Sequence, residues 1–126
     1  MYLTEDHSNA IYQIKAYLPN AIVINQETYK KSFIISPNQL IQDWEPNNIQ
    51  ELNEENLMIL TTLKSEMILL GTGQQGVMVP AKQLRPLLER GMSVECMSTV
   101  AACRTYTVLI AEGRQVVAGL IIESTT

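Results

Sequence analysis

Histidine, cysteine and tryptophan are nearly absent: the 126 residues hold one His, two Cys and one Trp. Any histidine-dependent dyad or triad, or any zinc site with an imidazole ligand, would have to use His7. That residue stands among polar neighbours in MYLTEDHSNA and reads as a solvated terminal side chain. Cys96 and Cys103 do not form a CxxC pair, and two thiols cannot supply a four-cysteine metal site. Both lie in apolar contexts (VECM and AACR), where free cysteine behaves as a small buried hydrophobe. They are expected to be reduced and structural, which points to a cytoplasmic setting. Apolar runs are short, so no membrane insertion is expected. The first ten residues lack a basic region followed by an apolar one and are not expected to be a secretory signal. Nine Lys and Arg against thirteen Asp and Glu give a net charge of −4. With no basic run in the chain, neither nucleic acid nor an anionic lipid surface is an expected partner.

What is present is the composition of a packed protein: 46% apolar and 17% charged residues. Residues 1–9 are expected to form a flexible tail and residues 10–122 a single α/β domain. In the first half, Tyr12, Ile14, Ala16 and Leu18 alternate with polar positions, which predicts a half-buried strand closed at Pro19. AIVI at 21–24 predicts a second strand, NQE a turn, and KSFIIS at 31–36 a third, together a meander over residues 11–36. Trp44 and Leu40, in an irregular stretch punctuated by Pro37 and Pro46, are expected to cover one end of a core. Asn53 and Asn56 with Glu54 and Glu55 mark a helix start, where acids offset the dipole and need have no catalytic role.

The second half alternates between two periods. MILL at 67–70 and QVVAGLII at 115–122 read as buried strands, with SVEC at 93–96 between them. PAKQLRPLLERG predicts a helix from Pro80, bent or shortened by Pro86 and closed by Gly91. Ser98 or Thr99 caps another helix reaching about Ala111, whose faces are so apolar that it must pack on more than one side. Strand–helix alternation implies parallel pairing through helical crossovers. The expected fold is therefore α/β: a single three-layer domain with a mixed central sheet, helices packed on it and an additional N-terminal β meander.

Gly71-Thr72-Gly73-Gln74-Gln75-Gly76 is a literal GxGxxG after an apolar strand, and Glu95 stands near where a ribose-binding acid would be. A dinucleotide site, however, needs a helix to open within the motif so that its N–H groups meet the pyrophosphate. Here VMVP intervenes, and no lysine stands where a P-loop requires one. No cofactor is expected. Arg104 lies within the apolar last helix with no carboxylate three or four residues away. Half-buried there, it would need an acceptor from elsewhere: Glu95, Glu66 or Glu112, or an anionic ligand.

The segments SFIISPNQLIQDW, ILLGTGQ and VECMSTVAACRTYTVLIAEGRQVVAGLI resemble a small domain family of unknown biochemical function. That family includes the mitochondrial respiratory complex I assembly factor and an adipogenesis-associated cytosolic homologue. The pattern is matched at Gly71, Thr72, Gly73, Thr99, Ala102, Arg104, Thr105, Tyr106, Glu112, Gly113 and Arg114. The resemblance implies a three-layer α/β fold and, from the eukaryotic relatives, assembly through a protein partner. Ser98, Val100 and Thr107 stand where the family often has Asp, Gly and Asn, which lowers the expectation of an enzyme. The leading expectation is a non-catalytic binding or assembly-type protein. The alternative is a ligand-binding protein or enzyme using a cleft between the Gly71–Gly73 loop and the helix beginning near Thr99. Either way, Gly71, Thr72, Gly73, Gln74, Thr99 and Arg104 are the candidate site residues, and no metal is expected.

Overall fold

Met67–Gly71 and Val116–Leu120 are apolar without alternation, and a strand can use such a run only if both its faces are covered. In the computed structural model they lie side by side at the centre of a five-stranded sheet. The structure describes residues 10–18, 20–65 and 67–123. His7 and the expected tail at 1–9, Pro19 and Glu66 therefore lie outside the described residues.

The strands are β1 (Ile14–Leu18), β2 (Ala21–Ile24), β3 (Glu27–Tyr29), β4 (Phe33–Ile35), β5 (Leu40–Ile41), β6 (Met67–Gly71), β7 (Ser93–Met97) and β8 (Val116–Leu120). The helices are α1 (Glu54–Met58), α2 (Ala81–Leu88) and α3 (Thr99–Ala111). The large sheet has the order β5-β4-β8-β6-β7. Within it β6 is parallel to both β7 and β8, while β4 is antiparallel to β5 and β8. The sheet is mixed, as expected.

Period-two alternation divides the buried residues between two cores. Leu69, Val116, Ala118 and Leu120 face Ala102, Cys103, Tyr106 and Ile110 of α3, together with Ile14, Ile22 and Ile24 of a separate β1-β2-β3 sheet. Ile68, Leu70, Val117 and Ile121 face Trp44, Leu57, Leu60, Leu84 and Leu87 on the other side. So α3 packs against the large sheet and also meets β1, which explains its sparse polar face. The chain moves from β6 to β7 through α2 on one face, then back past β6 to β8 through α3 on the other. Reversing direction while changing face keeps both crossovers of the same hand.

Four expectations need correction. Phe33–Ile35 is not the third meander strand; buried at every position, it joins the large sheet beside β8. Glu27, expected to end the NQE turn, instead begins Glu27–Tyr29, which pairs with β2 and completes the meander. In β1 the register shifts between Ile14, opposite Ile24, and Ala16, opposite Val23. The extra residue there is a bulge, and it reverses the faces that follow. Tyr17 packs on the core, while Leu18 is 61% exposed. Finally, Leu40 and Trp44 cover opposite cores rather than one end of the same core.

Asn53 and Asn56 form a reciprocal capping box, each side chain accepting the other's backbone N–H at 2.8–2.9 Å. This fixes the start of α1 and brings the Asn56 carbonyl to Trp44, whose indole N–H donates to it at 3.0 Å. The indole ring lies over Gly119: a Cβ there would stand 2.8 Å from Trp44 Cη2 and 3.1 Å from Leu60 Cδ2. Pro86 sits inside α2, which ends two residues later at Leu88, and Gly91 (φ 75°) turns the chain into β7. Gly119→Val is expected to cost about 1–3 kcal/mol by overpacking, lowering Tm by about 5–15 °C. Calorimetry checks this, and the Trp44 emission should shift to the red as the ring is displaced.

Candidate functional site

Because β6, β7 and β8 run parallel, their carboxyl ends share one edge of the sheet. The loop after β6 leads to α2 on one face, and the loop after β7 leads to α3 on the other. Such a divergence opens a crevice, the usual ligand position in open α/β sheets. Gly71, Thr72, Gly73 and Gln74 stand on one side of it and Thr99 on the other.

In this chain the crevice is laced by hydrogen bonds. The Thr72 N–H donates to Met97 O at 2.8 Å, and the Thr99 N–H donates to Gly73 O at 2.9 Å. The Thr99 hydroxyl accepts from Gly73 N–H at 2.9 Å and donates to Ile121 O at 2.6 Å. Gly71 lets this happen: a Cβ there would lie 2.9 Å from both Thr99 Cα and Thr99 Oγ1. The Thr72 hydroxyl closes the loop on itself, donating to Gln75 O at 2.7 Å. Thr72 and Thr99 are both buried. At the start of α3, Ser98 Oγ accepts from Ala101 N–H at 3.2 Å, so Ser98 is the cap.

The helix that a dinucleotide fingerprint requires is not at this loop. α2 begins at Ala81, five residues beyond Gly76, and residues 77–80 are irregular. A residue outside the candidate set holds the loop instead. Glu123 Oε1 accepts from Gln74 N–H at 2.8 Å, and its carboxylate lies where a Cβ on Gly73 (φ 114°) would be, 2.4–2.8 Å away. Nothing in sequence spacing marks Glu123; its place follows from β8 lying next to β6.

Arg104 stands apart from this lattice. The expectation of a half-buried guanidinium is overturned: Arg104 is exposed, and among the described residues it pairs with neither Glu95 nor Glu112. The reason is the helical period. Ala102, Cys103 and Tyr106 take the inward face and leave residue 104 outside with Thr107 and Val108. The expected partner Glu66 lies outside the described residues.

Both cysteines are free, Cys103 buried on the α3 side and Cys96 half-buried towards the other core. Burial raises the Cys96 thiol, partly offset by a hydrogen bond from the Val79 backbone, and pushes the Cys103 thiol up to about 12. Tyr106 is likewise raised by burial, its hydroxyl donating to Tyr12 O at 3.2 Å. Among the described residues no group of three or more His, Cys, Asp or Glu side chains could hold a metal ion.

Two outcomes are expected. Thr99→Val leaves Gly73 N–H and Ile121 C=O buried without partners and should cost about 2–4 kcal/mol, whereas Thr99→Ser, which keeps the hydroxyl, should cost about 1. Urea unfolding of the pair decides it, and equal losses would show that the hydroxyl is not the reason. For Cys103, both states hold the proton below the ordinary thiol value of 9.0. Above it the unfolded thiol ionises while the folded one does not until about 12, so stability should fall as pH rises through that window. Cys103→Ala should flatten this alkaline slope in pH-dependent melts, and the native wild-type thiol should resist labelling.

The same fold recurs in solved proteins. A Bordetella parapertussis protein of known crystal structure superposes with a TM-score of 0.83 at 33% identity, covering 91% of this chain and 98% of that one. A Bordetella pertussis structure described as a Mth938-like domain gives 0.80 at 28% identity, covering 99% and 96%. In sequence, the chain is 28% identical over 117 residues to the 13 kDa major membrane protein of Francisella tularensis subsp. holarctica (strain LVS), covering 92% of this chain and 95% of that protein. It is also 28% identical over 121 residues to bovine NADH dehydrogenase (ubiquinone) 1 alpha subcomplex assembly factor 3, covering 94% of this chain and 65% of the factor. The chain thus spans just under two thirds of that assembly factor's length. Among the described residues no helix is long and apolar enough to cross a membrane. The resemblance read from ILLGTGQ and the α3 segment holds along nearly the whole fold: residues 14–121 match the family described as protein of unknown function (DUF498/DUF598), and the chain belongs to it.

Proposed function

We propose that this chain is a non-catalytic, assembly-type protein that binds a protein partner in the cytoplasm. One observation carries the reading. The crevice where an α/β sheet would hold a substrate is filled by the chain's own hydrogen bonds, while the loop just beyond it is exposed and partly apolar. Val77 is 37% exposed and Met78 90% exposed. An unbranched, polarisable methionine at a loop tip suits an adaptable protein contact. On this reading Gly71, Thr72, Gly73 and Thr99 shape the edge, while Gln74 and Arg104 are exposed and available to the partner. The similarity to a complex I assembly factor supports an assembly role, and the net charge of −4 supports a protein rather than nucleic acid as the partner.

A second reading places a small ligand between the Gly71–Gly73 loop and the start of α3. Its entry would require the Thr99 hydrogen bonds to open, which weighs against it. Affinity capture with the tagged chain, followed by quantitative mass spectrometry, tests the leading reading. A co-purifying protein should be recovered with the wild type and reduced at least about tenfold by Met78→Glu, with Tm unchanged because Met78 is 90% exposed. Equal recovery with the variant would remove the loop from the contact. A shift of several degrees with one small-ligand class in a thermal screen would favour the second reading.

A further inference from the structure

The glycine loop already binds a carboxylate, its own. Glu123 contributes one oxygen to the Gln74 N–H at 2.8 Å, and its carboxyl group lies over Gly73, where any other residue would put a side chain. Gln75 and Gly76, the next two loop residues, are exposed, and their N–H groups have no protein acceptor among the described residues. Glu123 itself has no cation within ion-pair distance among the described residues, so a single charge-assisted bond holds it.

Beside it opens a cavity of about 900 Å3, lined by Ile122 and Glu123 together with Lys30, Lys31, Asp43 and Glu45. Lys30 and Lys31 make no ion pair with any described carboxylate. With Glu123 moved aside, the two lysines balance Asp43 and Glu45. We propose that Glu123 is a built-in occupant of a carboxylate-binding site, and that a small dicarboxylate displaces it, placing one carboxylate on the loop and the other by the lysines. A tethered group competes at an effective concentration on the order of mM, which a ligand gaining contacts that Glu123 lacks can overcome. The site is distinct from the gap closed by Thr99. It adds a ligand to the loop proposed above for partner binding without depending on that partner.

The test is titration of the full chain with succinate at constant ionic strength, followed by the backbone amide signals of Gln74 and Gly73. Glu123→Ala should bind succinate at least about tenfold more tightly than the wild type, with the Gln74 amide shifting on saturation. Adding Lys30→Ala and Lys31→Ala should reverse most of that gain. Glu123→Gln, which keeps an acceptor for Gln74, should fall between the two and serves as the informative variant if Glu123→Ala unfolds. Unchanged affinity in both Glu123 variants, a silent Gln74 amide, or indifference to the lysines would overturn the proposal. Inorganic phosphate is the comparison probe, and tighter binding of phosphate than of succinate would overturn the carboxylate assignment. Met78→Glu should leave succinate binding intact, so failure of this site and failure of the partner contact are read separately.

Discussion

The hydroxyl of Thr99 ties together three pieces of chain that the sequence keeps far apart. It accepts from the end of β6 through Gly73 and donates to Ile121 beyond β8, while its own residue begins α3 after β7. All three parallel strands are thereby fixed at their carboxyl ends by one buried group. The geometry is demanding: Thr99 approaches only because Gly71 has no side chain, and Gly73 reaches it through a left-handed conformation. A polar group buried this deeply is tolerated only when satisfied, and both of its hydrogen-bonding roles are.

From that constraint the rest of the edge follows. With α3 held against β6 and β8, its inward residues Ala102, Cys103, Tyr106 and Ile110 meet Leu69, Ala118 and the meander in one core. On the opposite face, Trp44 uses the missing side chain of Gly119 as Thr99 uses that of Gly71. Close approach by glycine thus serves both faces of the sheet, once for a hydrogen bond and once for an aromatic ring. Among the described residues the buried side chains form two separate clusters with the sheet between them, so a packing change in one should be nearly additive with a change in the other.

Much of this was legible in the residues. Unbroken apolar runs marked β6 and β8, Asn53 and Asn56 with Glu54 and Glu55 marked a helix start, and Ser98 or Thr99 the start of α3, because each is a local signal with a local cause; the reciprocal capping box and the choice of Ser98 came from the structure. What escaped was non-local. The β1 bulge depends on pairing with β2, so alternation alone sent Leu18 to the wrong face. Phe33–Ile35 was recognisable as a strand, but its sheet was decided by burial on both sides. Arg104 was expected half-buried because its helix is apolar, yet α3 keeps Arg104, Thr107 and Val108 in solvent. The loop residues Gly71–Gln74 and Thr99 were singled out together, but the hydroxyl that joins them and the Glu123 carboxylate that covers them became visible only through strand adjacency.

The arrangement bears on how one scaffold can lose or gain chemistry. An open α/β sheet offers its carboxyl edge for ligands because diverging helices leave N–H groups unpaired there. Here four of those groups have partners within the chain: Thr72 N–H on Met97, Thr99 N–H on Gly73, Gly73 N–H on the Thr99 hydroxyl, and Gln74 N–H on Glu123. The first three join elements of the sheet core, and opening them would disturb both cores at once. The fourth joins the loop to a segment beyond the last strand and can open alone. Stability and recognition are therefore separable at this edge, with Thr99 holding the scaffold and Gln74 standing where an exchange of partners costs the fold least.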